Sequence, residues 1–143
     1  METKEKTIIS VQTKINAPIA EVWKNWTTPE DIVRWNNASD DWHTTHAKND
    51  LRVGGKFLSR MEAKDGSMGF DFEGVYDEVK TNQYIEYTIA DGRKVRIDFS
   101  ANGNEIIVEE SFEAENIHSI EHQQGGWQAI IDNFKNYVEA NRQ

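Results

Sequence analysis

No cysteine occurs anywhere in the 143 residues. That removes disulfides, thiolate nucleophiles and cysteine-ligated zinc together, and it fits a reducing compartment. Long apolar runs are missing as well: none approaches the roughly 18 to 20 residues that span a bilayer. The opening Met1-Glu-Thr-Lys-Glu-Lys-Thr7 leads into no apolar segment of the kind a secretory signal needs. A cytoplasmic protein without membrane insertion is expected, and the sequons at Asn25-Trp-Thr27 and Asn37-Ala-Ser39 read as chance. Positive charge is scarce, with 16 Lys and Arg against 25 Asp and Glu and a formal charge of -9. Such a chain repels phosphate backbones, so nucleic-acid binding is not expected. There is no internal repeat, no low-complexity stretch and no linker rich in Gly, Pro or Ser, so residues 1–143 read as one domain.

What the chain does have is aromatic mass. Five Trp, six Phe and four Tyr stand in a sequence that is only 37% hydrophobic, which suits either a shell around a cavity or a bulky aromatic core. The β-branched run from Thr7 to Ile15 reads as a first strand. Pro18 then opens a short helix with Ile19, Val22, Trp23 and Trp26 at helical spacing. Thr28-Pro29-Glu30-Asp31 repeats the signal, with Thr28 as the cap and Asp31 at the capping-box position, for a second helix ending near Trp35. Residues 36–49 read as loop with a short strand near Thr44 to Ala47.

From Gly54 onward the pattern alternates between short strands and turn dipeptides, Asp65-Gly66, Asp91-Gly92 and Asn102-Gly103. Strands are predicted at 55–63, 68–79, 83–90, 93–101 and 104–113. Alternation puts Phe57, Met61, Phe70, Phe72, Tyr76, Tyr87, Phe99, Val108 and Phe112 on one face, and Lys56, Arg60, Asp71, Glu73, Glu86, Arg96 and Asp98 on the other. Arg93 shares that outward parity. The chain ends with Trp127, Ile130, Ile131, Phe134, Tyr137 and Val138 at i, i+3, i+4 spacing, an amphipathic helix that must cover the apolar face. A single helix covers only the middle of so wide a sheet, so the sheet must curl around it. The expected class is α+β.

This order of strand, two short helices, meander and long helix resembles the helix-grip layout of the START-like superfamily. Pro18-Ile-Ala-Glu-Val-Trp-Lys-Asn-Trp26, Asp50-Leu-Arg-Val-Gly-Gly-Lys-Phe57, Gly74-Val-Tyr76 and Gly125-Gly-Trp-Gln-Ala-Ile-Ile-Asp-Asn-Phe134 are similar to the activator of heat-shock-protein-90 ATPase homologue-like family, along nearly the whole chain. The resemblance implies a cavity for a small hydrophobic or amphipathic molecule, in a family whose relatives act as lipid carriers, polyketide cyclases or co-chaperone modules. The co-chaperone resembles this chain through its C-terminal domain alone, and the chain has no room for the further domain that makes much of the chaperone contact. The fold does not choose among these roles.

The expected cavity lining is Trp35, Trp42, Phe57, Met61, Phe70, Phe72, Tyr76, Tyr87, Phe99, Trp127, Ile131 and Phe134, with His43 and Glu110 as polar members. Glu110 shares the inward parity of Val108 and Phe112; it either anchors a ligand or reaches water at the strand end. His43 is the first candidate proton donor. In an enzyme of cyclase or hydrolase type, His43, Tyr87 or Glu110 would act as acid or base, although the outward parity of Arg60, Arg93 and Arg96 leaves no arginine inside to polarise a carbonyl. His118-Ser-Ile-Glu121-His122 matches the H-x-x-E-H pattern of zinc peptidases, but it sits where the last helix begins and is better read as solvated. Asp40, Asp41, His43 and His46 could hold a metal or form a surface loop, with Trp42 against the cavity mouth. Gly54-Gly55 reads as a tight turn and not a phosphate loop. Gly125-Gly126 reads as close packing or a bend, or as a soft cavity entrance. No cofactor and no resident metal are expected, and the chain is a monomer or homodimer.

Overall fold

The structure is a computed structural model and describes residues 7–140; residues 1–6, read above as lacking a secretory signal, lie outside the described residues. Strand β1 (Ile8–Ile15) alternates exposed and buried positions and ends at Asn16 and Ala17. Pro18 precedes α1 (Ile19–Thr27), and Pro29 occupies the first turn of α2 (Pro29–Trp35), where a missing N–H costs nothing. Thr28 takes the N-cap place, but its hydroxyl makes no capping bond. Asp31 does not close a capping box either. Its Oδ1 accepts the Tyr137 hydroxyl at 2.6 Å, which fastens α2 to the last helix.

The meander follows as β2 (Trp42–Asn49), β3 (Lys56–Ala63), β4 (Gly69–Lys80), β5 (Tyr84–Ile89), β6 (Lys94–Asn102) and β7 (Glu105–Glu113). All seven strands form one antiparallel sheet in the order β1-β7-β6-β5-β4-β3-β2, so β1 returns to pair with β7 and the sheet curls into a half-barrel. Irregularities at Thr44/His46 and Tyr76/Glu78 shift the register of β2 and β4, as bulges do where a strand must bend. Gly54, with φ +81°, makes the turn before β3.

Helix α3 (Ile120–Ala140) lies in the concave face. Ser119 caps it through Oγ, which accepts the His122 N–H at 3.1 Å. The expected helix-grip architecture is what the chain forms. The sheet's outer face carries the charges: Arg96 bridges Glu86 and Asp98, and Arg60 bridges Glu62 and Asp71. No helix among the described residues is long and apolar enough to cross a membrane.

The interior divides into two ends. At one, the short helices press Trp23 and Trp26 onto Phe99, with ring centroids 5.3 and 5.9 Å apart. Trp26 and Trp35 both meet Phe134 edge-on at 4.8 Å. That end is filled.

Candidate functional site

The other end is hollow. A cavity of about 860 Å³ lies between β2–β5, β7, α2 and the first turns of α3. Its wall is a connected set of rings: Phe57 meets Tyr87 at 4.7 Å and Tyr76 at 5.3 Å, and Phe72 meets Phe57 at 5.9 Å and Trp127 at 6.2 Å. Trp127 in turn stacks on Phe112 at 3.8 Å, which fixes the helix side of the wall. Gly74 makes this arrangement possible. It pairs with Phe57 across β3 and β4, and a Cβ there would come within 2.9 Å of the Phe57 ring. Trp42 and Phe70, 5.8 Å apart, stand at the mouth, where Phe70 is 47% exposed.

Of the expected lining, Trp35, Trp42, Phe57, Met61, Phe70, Phe72, Tyr76, Tyr87, Glu110 and Trp127 border this cavity. Phe99, Ile131 and Phe134 do not. Phe99 points inward from β6 and Ile131 and Phe134 from α3, but all three are buried in the packed core, Ile131 and Phe134 wholly so. His43 is also outside. Strand β2 begins at Trp42 instead of Thr44, so alternation turns Trp42 in and His43 out to solvent. His46 is exposed as well, and no group of three or more His, Asp or Glu side chains among the described residues is placed to hold a metal.

Arg93 reverses its expected parity. It precedes β6 and belongs to the turn, where strand alternation does not apply. Its Nε is held by Asp91 at 2.8 Å and its Nη1 donates to the Glu113 carbonyl at 3.1 Å, at the cavity border. The expected lining also left out Ser59 and Ile130, which border the cavity. Both were within reach of sequence periodicity: Ser59 lies between Phe57 and Met61 on the same face of β3, and Ile130 follows Trp127 by one helical turn.

Glu110 is the chemically unusual member. It is 4% exposed on β7, opposite Ile97 and Val11, and its oxygens open onto the cavity. No described residue is hydrogen-bonded or ion-paired to its carboxyl, and burial pushes its pKa up to about 8. Near neutral pH it is mainly an uncharged acid. Tyr87 is its electrostatic neighbour; burial, then the Glu110 charge, hold that phenol well above its ordinary range. Tyr76 is raised by burial too, and its hydroxyl donates to Asn49 Oδ1 at 2.5 Å.

Residues 16–139 match the model of the family described as activator of Hsp90 ATPase homolog 1-like protein. The chain belongs to this family. The solution structure of an AHSA1-like protein from Aeromonas hydrophila is 46% identical, with 94% of this chain and 93% of that one covered and a TM-score of 0.88. A Cytophaga hutchinsonii protein, also solved in solution, is 53% identical over 93% of this chain and 92% of its own, with a TM-score of 0.81. A Nitrosomonas europaea crystal structure shares the fold at 17% identity, over 93% and 94% of the two chains, with a TM-score of 0.79. No curated protein matches the chain.

In this AHSA1-like chain the cavity mouth is rimmed by the start of α3. His118 and His122 stack at 4.7 Å, His118 Nδ1 lies 2.7 Å from Glu115 Oε1, and both histidines are exposed. Buried Gln123 ties this segment down: its Oε1 accepts the Glu115 N–H and its Nε2 donates to the His118 carbonyl. The helix then runs without a break through Gly125 and Gly126, and a Cβ at either position would meet nothing within 4 Å. Close packing therefore does not explain the pair, which borders the cavity. Replacing both by alanine should raise stability by about 1 to 2 kcal/mol, because each helical glycine costs about 0.5 to 1 kcal/mol relative to alanine. Urea denaturation checks this; a loss of stability would mean that the helix needs the glycine backbone freedom there.

Proposed function

We propose that this protein binds a small hydrophobic or amphipathic organic molecule in its half-open cavity and acts as a carrier or receptor, not as an enzyme. The observation that carries the reading is the volume of about 860 Å³ bordered by a connected set of aromatic rings, a size and lining typical of small-molecule sites. Burial of ligand surface against Phe57, Phe72 and Trp127 supplies the affinity, at roughly 25 cal/mol for each Å² removed from water. Glu110 and Tyr87 supply orientation, since a few polar groups in an apolar pocket fix the pose. The absence of cysteine supports a cytoplasmic setting for this role.

Panels of lipids, flavonoids and aromatic polyketides, read by native mass spectrometry and tryptophan fluorescence, test the proposal. A one-to-one complex is expected, with Trp127→Ala weakening binding at least about tenfold, as loss of a large aromatic contact does. No complex with any panel member, together with an unchanged unfolding midpoint in their presence, would overturn it.

A further inference from the structure

The cavity contains a buried acid that forms no ion pair with any described residue. Glu110 sits at its floor, almost completely buried, with no described partner for its carboxyl. The two cations that border the cavity are placed elsewhere. Lys48 is exposed on the edge strand β2, and Arg93 is held by Asp91 and the Glu113 carbonyl. The wall above Glu110 is aromatic, and ring faces attract cations, most strongly where water is excluded. The rim adds Glu115 and Glu121, and the whole chain carries -9, a field that draws cations toward the mouth.

Resting on the proposed small-molecule role, we infer that the ligand is an amphipathic organic amine whose ammonium group pairs with the Glu110 carboxylate while its hydrocarbon part lies against the aromatic wall. Pairing is coupled to a proton. In the free protein the carboxyl holds its proton up to about pH 8; an arriving ammonium stabilises the ionised form, so the carboxyl proton leaves to solvent as the amine, already protonated, settles in. A ligand with only acceptor groups would instead take a hydrogen bond from the acid and release nothing. The other titratable or charged groups bordering the cavity are Tyr76 on β4, Tyr87 on β5, Lys48, Arg93, and Glu115, His118, Glu121 and His122 at the rim.

The test uses one hydrocarbon with three heads: octylamine, octan-1-ol and octanoate, titrated by calorimetry near pH 6.5 in buffers of different ionisation enthalpy. Octylamine is expected to bind at least about tenfold more tightly than octanol, as hydrogen bonds to charged groups allow, and to release close to one proton. Glu110→Gln should remove both the preference and the proton release. The proton count on the unaltered protein stands even if that variant folds poorly. Equal binding of amine and alcohol without proton release, an amine preference that survives Glu110→Gln, or tightest binding of octanoate would each overturn the amine assignment and leave the cavity role intact. Binding of none of the three, together with failure of the wider ligand panels, would overturn both.

Discussion

Glu110→Gln should stabilise the protein by on the order of 4 kcal/mol at pH 8 and hardly at all near pH 4. The cause is the distance between the ordinary carboxyl value of 4.5 and the value of about 8 that burial imposes, with each tenfold change in proton affinity worth about 1.4 kcal/mol. Below pH 4.5 the carboxyl is protonated in both folded and unfolded chains, and its burial carries no ionic penalty. Between 4.5 and about 8 the unfolded chain gives up the proton and the folded chain keeps it, so stability falls as pH rises. Above about 8 the folded group ionises as well and the penalty levels off. Glutamine keeps the shape without the titration. Glu139 acts in the opposite sense at acid pH: the Asn16 N–H and then Lys135 hold it below its ordinary value, so its contribution is lost as pH falls, but in both proteins alike. Thermal unfolding of the pair from pH 4 to 9 measures the effect as a midpoint difference that grows to about 10 °C. A constant difference across that range would show that Glu110 is solvated and titrates normally.

Phe134→Ala should cost about 3 to 5 kcal/mol, the range for emptying a buried aromatic site. Phe134 is wholly buried and receives the edges of Trp26 and Trp35, so its removal leaves three elements facing a void that neither tryptophan can fill without leaving the other. Phe70→Ala is the control. Phe70 stands half exposed at the cavity mouth beside Trp42, and its loss should cost less than about 1 kcal/mol, since the side chain is already partly hydrated. Urea denaturation of both variants checks the contrast. Equal costs would mean that the two ends of the interior are packed alike.

That contrast also marks where the sequence could be read and where it could not. Strand parity identified Phe57, Phe99 and Tyr87 as inward, because alternation is a local property of each strand. It could not separate Phe99, under the short helices, from Phe57, in the cavity wall. That difference depends on how far the sheet curls and where α1 and α2 land, and both are set by contacts remote in the chain. Arg93 was misplaced because a turn residue was given a strand's alternation, and His43 because β2 begins two residues earlier than its β-branched centre, Thr44-Thr45, suggests. The long helix was legible, with its start near His118 to His122, but its unbroken course through Gly125 and Gly126 was not: both are poor helix formers, and capping by Ser119 and the Gln123 bonds help commit that turn to the helix. Glu110 was legible as an inward acid, but that it is buried and does not reach water at the strand end was not, since that depends on how the sheet curls over it.

The division of the interior means that the packed end and the hollow end are built from different residues. Val22, Ile97, Val108, Phe134 and Val138 hold the chain together, while Met61, Phe70, Phe72 and Ile130 line the cavity. Changes at the second set should cost less than changes at the first, because Phe70 is half exposed and Phe72 and Ile130 are only partly buried at the margin of the core. A combinatorial library confined to those four positions should therefore yield mostly folded members with differently contoured interiors, a scaffold on which new selectivities are obtained by carving one chamber.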